Sequence, residues 1–520
     1  MKTKNLFLGL ILIGGIMFAS CSKTTPPISP PVGPPISPPK SVGPADSVKS
    51  SYSGGVLGNP TTHSSFTFVA GTTYNITKGN VIFINSDVTV QAGAQILFGG
   101  KGLKVNIGYI GHDHSLSINY QSIINHMALV NARNPNRRLS VSKNVSVALP
   151  VDTGSKANAY SFYIALGSSL NVQGTSSAHV LFGSQASVNP TTDPATLWPT
   201  GYWGGINCDS TTKSVQLEWV DIRNTGGADS IAGNQYAFYV GGKKSSTTTV
   251  TMENSSIEYG VDDCTRMEGN ITIAIRGNIF KRQGSNDGDG VNIKGGVTGD
   301  VCYNYCWSGA NNSIKINANK TDKTVLTKVN VYNNTIVEGG WRKVGEASSG
   351  ILFDYFAKGS CFNNLIVNCR NGYTITALTD TLYFTKNASN PADKQIAINS
   401  LVNNNYVYAL LDSVAINSYG YQQWGTKRSN DVSALTLAGQ VDPQLVAFDA
   451  DLTGYISKPT SYSDAGVDPH LKSTSPAIGK GSTAAPYTNA LGYGAQWAPG
   501  EDIGAFQVTN SMKGNLRGKM

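Results

Sequence analysis

The sequence predicts an all-β fold, a right-handed parallel β-helix solenoid, and three observations carry that prediction. Short segments of shared pattern recur between about residues 215 and 376: Glu218–Ile222, Glu253–Ile257, Arg276–Phe280, Tyr303–Trp307, Tyr332–Ile336 and Phe362–Ile366. Their apolar ends fall at 222, 257, 280, 307, 336 and 366, steps of 23 to 35 residues. Repeats of that length with no helical period stack as a solenoid, because one coil cannot bury its apolar face alone. Asn fills the second slot at Asn254, Asn304, Asn333 and Asn363, where stacked amides can bond their neighbours and tolerate a left-handed turn. Composition agrees, since 57 glycines and 14% charged residues suit short strands and many turns. Leucine-rich repeats also carry an Asn, but their Leu spacing is absent.

Ahead of the repeats, residues 1–20 read as a secretory signal: Lys2 and Lys4, an apolar run from Leu6 to Phe18, then small residues. The apolar run is short for a membrane span, which needs about 20 residues. Met17–Cys21 resembles a lipobox, with Phe18 where Leu is usual, and the resemblance implies lipidation of Cys21 and attachment to a membrane through that lipid. Residues 21–50 form a Pro-rich linker holding Pro26, Pro27, Pro30, Pro31, Pro34, Pro35, Pro38 and Pro39. It favours extended polyproline II and serves as a semi-rigid spacer. Ser22 after Cys21 points, by resemblance to bacterial lipoproteins, to the outer membrane, periplasmic or surface-exposed.

The net charge of +8 does not indicate nucleic-acid binding, because the 40 Lys and Arg residues are scattered rather than clustered. Besides Cys21 there are six cysteines, Cys208, Cys264, Cys302, Cys306, Cys361 and Cys369. Cys302 and Cys306 have no partner pair of zinc-site spacing. Most of the six sit where a β-helix places small interior residues, so buried free thiols are expected, with disulfides the alternative.

Several further segments resemble parts of bacterial right-handed β-helix proteins of the pectate-lyase-like or choice-of-anchor type. Val88–Phe98 is similar to an opening coil, and Ser169–Gly174, Val180–Phe182 and Trp203–Ile206 continue it. Asp468–Leu471, Ser475–Gly479 and Asp502–Phe506 are similar to a closing segment. The expected organisation is a β-helix over 60–440, interrupted by an insertion at about 106–160 that carries Arg133, Arg137 and Arg138, and a closing segment over 441–510. The resemblance implies the fold, whereas that fold hosts lyases, hydrolases, epimerases, adhesins and inert spikes.

Solenoids bind along an exposed sheet face, where every second side chain points the same way. Aligning the strand after each Asn turn gives one outward row of Tyr239, Arg266, Asn292, Lys315, Leu352 and Thr374. The next holds Gly241, Glu268, Lys294, Asn317, Asp354 and Thr376. With coils about 4.8 Å apart these charges would share one patch roughly 15–20 Å long.

β-Elimination of a uronate needs a base for the C5 proton and a cation for the carboxylate. Lys294 or Lys315 would be the base and Arg266 the clamp, with Glu268, Asn292, Asn317, Trp341 and Asp354 binding substrate. Asp262, Asp263, Asp287 and Asp289 are the candidate ligands for Ca2+, a hard ion that prefers clustered oxygens. A hydrolase would instead draw on Glu268, Asp287, Asp289 and Asp354.

The alternative is a solvated face whose charges blunt the sheet against aggregation. His112, Asp113 and His114 form either a metal pair or a polar tip on the insertion. Tyr202, Trp341, Tyr355 and Phe356 are possible sugar-stacking rings, and Trp203 is a structural one. The expected function is a monomeric cell-envelope lipoprotein that binds or processes polysaccharide, as a uronate lyase if it is an enzyme. A non-catalytic adhesin or structural surface protein is the alternative.

Overall fold

The computed structural model describes residues 51–52, 55–99, 107–108, 151–152, 159, 161–184, 201–227, 236–241, 247–318, 327–340, 343, 348–375, 402–408, 431, 441–448, 467–484, 491 and 494–509, apart from residues 60, 78, 285, 286 and 356. The signal, Cys21, the Pro-rich linker, residues 112–114, Arg133, Arg137, Arg138, Trp341, Phe356 and Thr376 lie outside the described residues.

The fold is a right-handed parallel β-helix. Each coil contributes one strand to each of three parallel sheets, called here A, B and C, with eleven, ten and ten strands among the described residues. The chain runs through them as C, A, B: Lys328–Tyr332 lies in C, Thr335–Val337 in A and Ile351–Asp354 in B. Side chains alternate inward and outward along each strand, as in Thr265–Glu268, whose Thr265 and Met267 are buried and whose Arg266 and Glu268 are half-exposed.

The interior changes character along the stack. The first coils are filled by aromatics: Phe83 packs on Phe162 with centroids 5.1 Å apart, and Phe98 stacks on Trp203 at 4.7 Å. Trp203 is fully buried and donates from Nε1 to the Arg223 carbonyl, so it is a structural ring. Later coils are filled by Ile, Val and Met with Cys between them, and the six described cysteines are free and buried.

The corner from C to A is short and follows one plan. Two residues make the turn in most coils. The first adopts the left-handed conformation: Asn254, Gly277, Tyr303, Asn333, Asn363 and Asn404 have φ between 49 and 62°. The second carries a buried amide that bonds up the stack. Asn278 donates to Asn304 Oδ1, Asn304 to Asn334, Asn334 to Asn364 and Asn364 to Asn405, at 3.0, 3.0, 2.9 and 2.9 Å. The expectation that the second slot of each repeat forms the ladder is therefore corrected for Asn254, Asn333 and Asn363. A residue that must turn the chain cannot also point its side chain along the stack, so the task passes to its successor. The register also pairs Phe280, Cys306 and Ile336, which moves one apolar anchor from Trp307 to Cys306.

The turning asparagines face outward and bind the closing segment. Asn333 donates to the carbonyls of Asp502 and Gly504, Asn363 to that of Ser482, and Asn404 to that of Lys480. Trp497 packs over Gly277 beside Tyr303, at 6.1 Å between the rings. Residues 477–484 and 494–506 thus form a strap along the corner of successive coils. It covers the outer side of sheet A there, which is why Thr335–Val337 and Leu365–Val367 are buried on both faces.

The corner from A to B varies most in length. One such connection, from Phe98 to Phe162, contains an antiparallel pairing of Ile107–Gly108 with Val151–Asp152.

Candidate functional site

The outer face of sheet B gathers the charged residues singled out in the sequence. Its register pairs Tyr239 with Arg266, Arg266 with Asn292, Asn292 with Lys315, Lys315 with Leu352, and Leu352 with Thr374. They form one continuous outward row. In the neighbouring row Gly241 pairs with Glu268 and Asn317 with Asp354. Lys294 follows the strand Val291–Ile293, and its backbone N–H extends that strand's pairing by donating to the Met267 carbonyl at 2.8 Å.

Arg266 is held on two sides. Its Nη1 donates to the Tyr236 hydroxyl at 2.9 Å, the guanidinium lies 4.9 Å from the centroid of the same ring, and Nη2 sits 3.4 Å from Glu268. Tyr239 donates to the other Glu268 oxygen at 2.6 Å. This fork-and-ring arrangement fixes the cation without neutralising it completely. Burial pushes both phenols well above the usual tyrosine range, so they stay protonated.

Asp263 and Asp289 occupy a second ladder, at the entry to sheet B. Asp263 accepts from the Asp289 N–H at 2.7 Å and from Asn292 Nδ2 at 2.8 Å. Asp289 Oδ1 accepts from the N–H and Nδ2 of Asn312 at 3.1 and 2.9 Å, and Oδ2 lies 3.4 Å from Lys315 Nζ. Asn312 in turn accepts from the Ser349 N–H at 2.9 Å. Both carboxylates are nearly inaccessible, at 4 and 3% exposure. Burial, reinforced by Asp262 and Asp289, pushes the Asp263 carboxyl up to about 8. Asp287 stands apart, bound to Lys343 at 2.7 Å. Burial opposes the charge of Asp287, but Lys343 outweighs it and holds the carboxyl below its ordinary value.

Two of these four acids are already engaged. Asp263 and Asp289 face N–H donors and a lysine, whereas a cation needs oxygens with free lone pairs. No three His, Cys, Asp or Glu side chains are grouped for a metal among the described residues.

Lys294 is different. It is part-buried, and its ammonium has no hydrogen-bond or ion-pair partner among the described residues. Burial first, then repulsion from Lys315 and Arg266, lowers its pKa to about 8. In the same face the Oδ1 atoms of Asn292 and Asn317 are buried without a partner, in residues only 3 and 5% exposed. A buried carbonyl left unpaired costs about 1–3 kcal/mol. Asp354 accepts from the Tyr355 N–H at 2.9 Å.

Alignment of strands alone missed Tyr236 and Asn312, which hold Arg266 and Asp289. The signal was a column two residues before each strand of sheet B, reading Tyr236, Asp263, Asp289, Asn312 and Ser349, followed in each case by a small residue. Comparison with protein-family models, curated proteins and solved structures finds no match for this chain.

Proposed function

We propose that the outer face of sheet B binds an acidic polysaccharide and cleaves it by β-elimination at a uronate residue. The observation that carries this reading is the Lys294 ammonium, which has no hydrogen-bond or ion-pair partner among the described residues and lies within electrostatic reach of Arg266 and Lys315. A ligand that satisfies this lysine must bring it an acceptor and a labile proton. A sugar acid brings both. A lysine titrating near 8 supplies a useful fraction of neutral amine at neutral pH, as a general base requires.

In the proposed reaction the Lys294 amine takes the C5 proton. The C5–H electron pair forms the C4–C5 double bond, the C4–O bond breaks, and the departing oxygen takes a proton from water. Arg266, held by Tyr236 and Glu268, neutralises the carboxylate whose charge spreads as C5 loses its proton, with Lys315 as second cation. A hydrolase drawing on Asp287 and Asp289 is disfavoured, because Asp289 is taken up by Asn312 and Lys315 and Asp287 by Lys343. A lipid on Cys21 would place this face at the outer membrane.

Ultraviolet absorbance of the unsaturated uronate provides the test, using the full chain with pectate, alginate, chondroitin and hyaluronan. The expected result is a rise on at least one polymer that Lys294→Ala abolishes while the circular dichroism spectrum is retained. A flat trace on all four, or an undiminished rate in the variant, overturns the proposal.

A further inference from the structure

Two phenols stand side by side on the outer face of sheet B, and only one of them has its proton engaged. The Tyr236 and Tyr239 rings lie 5.8 Å apart. Tyr239 donates to Glu268 at 2.6 Å. Tyr236 instead accepts, from Arg266 Nη1 at 2.9 Å. A guanidinium carries donors and no acceptor, so the Tyr236 proton cannot be returned to Arg266. No acceptor for that proton stands among the described residues, and the side chain is part-exposed. The Tyr236 oxygen is therefore fixed in place while its hydrogen is left for a ligand.

We infer that Tyr236 is the general acid of the elimination, delivering its phenolic proton to the C4 oxygen as the C4–O bond breaks. This rests on the proposed lyase reading of the face and adds a catalytic residue to it. Arg266 clamps the carboxylate carried by C5, and the leaving oxygen sits on the neighbouring carbon. A hydroxyl within hydrogen-bond distance of that guanidinium is thus within reach of the leaving oxygen. After Tyr236 and Glu268 have each taken one N–H, Nη1 and Nη2 both keep a second for the carboxylate. Coil order agrees: Tyr236 precedes the coil of Arg266 and Lys294 follows it, so acid and base flank the clamp. A sugar alkoxide is a poor leaving group, and a proton delivered as the bond breaks contributes about 10²–10⁴-fold in rate. Burial holds the Tyr236 hydroxyl well above the usual tyrosine range, so it carries its proton at any working pH. The phenolate forms against the Arg266 cation, which stabilises it. Water then returns a proton to Tyr236 and takes one from the Lys294 ammonium. The net proton on the product oxygen therefore still comes from solvent, and both residues are restored.

The experiment uses the full chain and two substrates with different leaving groups. The first is the polymer that the native protein cleaves among pectate, alginate, chondroitin and hyaluronan. The second is an oligosaccharide of that polymer whose non-reducing uronate carries nitrophenoxide at C4, a group that departs without a proton. Tyr236→Phe keeps the ring and removes the acid. It should lower kcat on the polymer at least about a hundredfold but on the nitrophenyl substrate by less than about tenfold, with circular dichroism unchanged. Tyr239→Phe, which loses only a bond to Glu268, should slow both substrates alike. Equal losses on the two substrates for Tyr236→Phe would show that the hydroxyl only steadies Arg266, and would overturn the assignment. An undiminished polymer rate overturns it too, and both results leave the elimination itself intact. No elimination by the native protein on any of the four polymers overturns the lyase reading and this inference with it.

Discussion

Replacement of Asn334 by alanine should be among the most damaging single changes in the core. Its side chain makes five hydrogen bonds inside a fully buried corner. Nδ2 donates to Val301 O at 3.0 Å, to Tyr332 O at 3.2 Å and to Asn364 Oδ1 at 2.9 Å, while Oδ1 accepts from the N–H and Nδ2 of Asn304, each at 3.0 Å. Truncation keeps the fold's backbone but strips partners from two coils at once. The Asn304 N–H is left with no partner in a site water does not reach, and such a group costs about 1–3 kcal/mol. The four other bonds, in which the two Nδ2 hydrogens are shared among three acceptors, contribute about 3 kcal/mol together, partly offset because Asn364 Oδ1 still accepts from the Asn334 N–H at 3.2 Å. The expected loss is about 3–5 kcal/mol. Urea unfolding followed by circular dichroism measures it, provided the slope against denaturant is unchanged from the native protein. A loss under about 1 kcal/mol would show that the ladder is not a principal source of stability and would refute the reasoning.

Three further outcomes follow from the site and the strap. Because the pKa of Lys294 is lowered to about 8, the rate of the proposed elimination should climb as pH rises through that value, when the amine loses its proton. A profile flat from pH 6 to 9 would exclude Lys294 as base. Asp263 has the opposite signature. Its folded value of about 8 exceeds its ordinary 3.8, so the folded state holds the proton more firmly and stability should decline as pH rises from about 4 to 8. Asp263→Asn should remove that decline, and thermal unfolding at several pH values checks it. For the strap, a Cβ on Gly277 would come within 2.6 Å of the Trp497 ring. Gly277→Ala should therefore cost more in the native protein than in a Trp497→Ala background, where only the left-handed backbone penalty of about 1 kcal/mol remains. Equal costs would deny the contact.

The fold was legible because a solenoid writes its period into the chain. Apolar residues that share a core must recur once per coil, and the outward row from Tyr239 to Thr374 could be aligned from strand alternation alone. Less legible was the division of labour within the corner. Adjacent asparagines such as Asn333 and Asn334 are chemically identical, and only backbone geometry makes one a turn and its neighbour a rung. The acids posed a similar difficulty. Asp262, Asp263, Asp287 and Asp289 read as a cluster of ion ligands, yet two of them stand in line with Asn312 and Ser349 as acceptors for backbone N–H groups. A carboxylate that caps a turn and one that binds a metal differ in what faces them, which composition does not record. Lys294 was identifiable as a basic residue on the right face, but its isolation depends on Asp289 reaching toward Lys315 instead.

The strap also imposes an order on how the molecule is made. Neighbouring rungs of the Asn corner join residues about 30 positions apart, as in Asn334 and Asn364, whereas Asn333 meets Asp502 across 169 positions. A chain emerging from its N-terminus can lay down coil upon coil as each becomes available. The turning amides of Asn333, Asn363 and Asn404 then lack their strap carbonyls until the residues after 477 arrive, although Asn363 already donates to Asn333 at 3.3 Å. Closing so long a loop carries a larger entropic cost than adding the next coil. The seam along this corner works as a fastening applied after assembly, so a chain cut short before residue 477 keeps its coils and loses the tie between them.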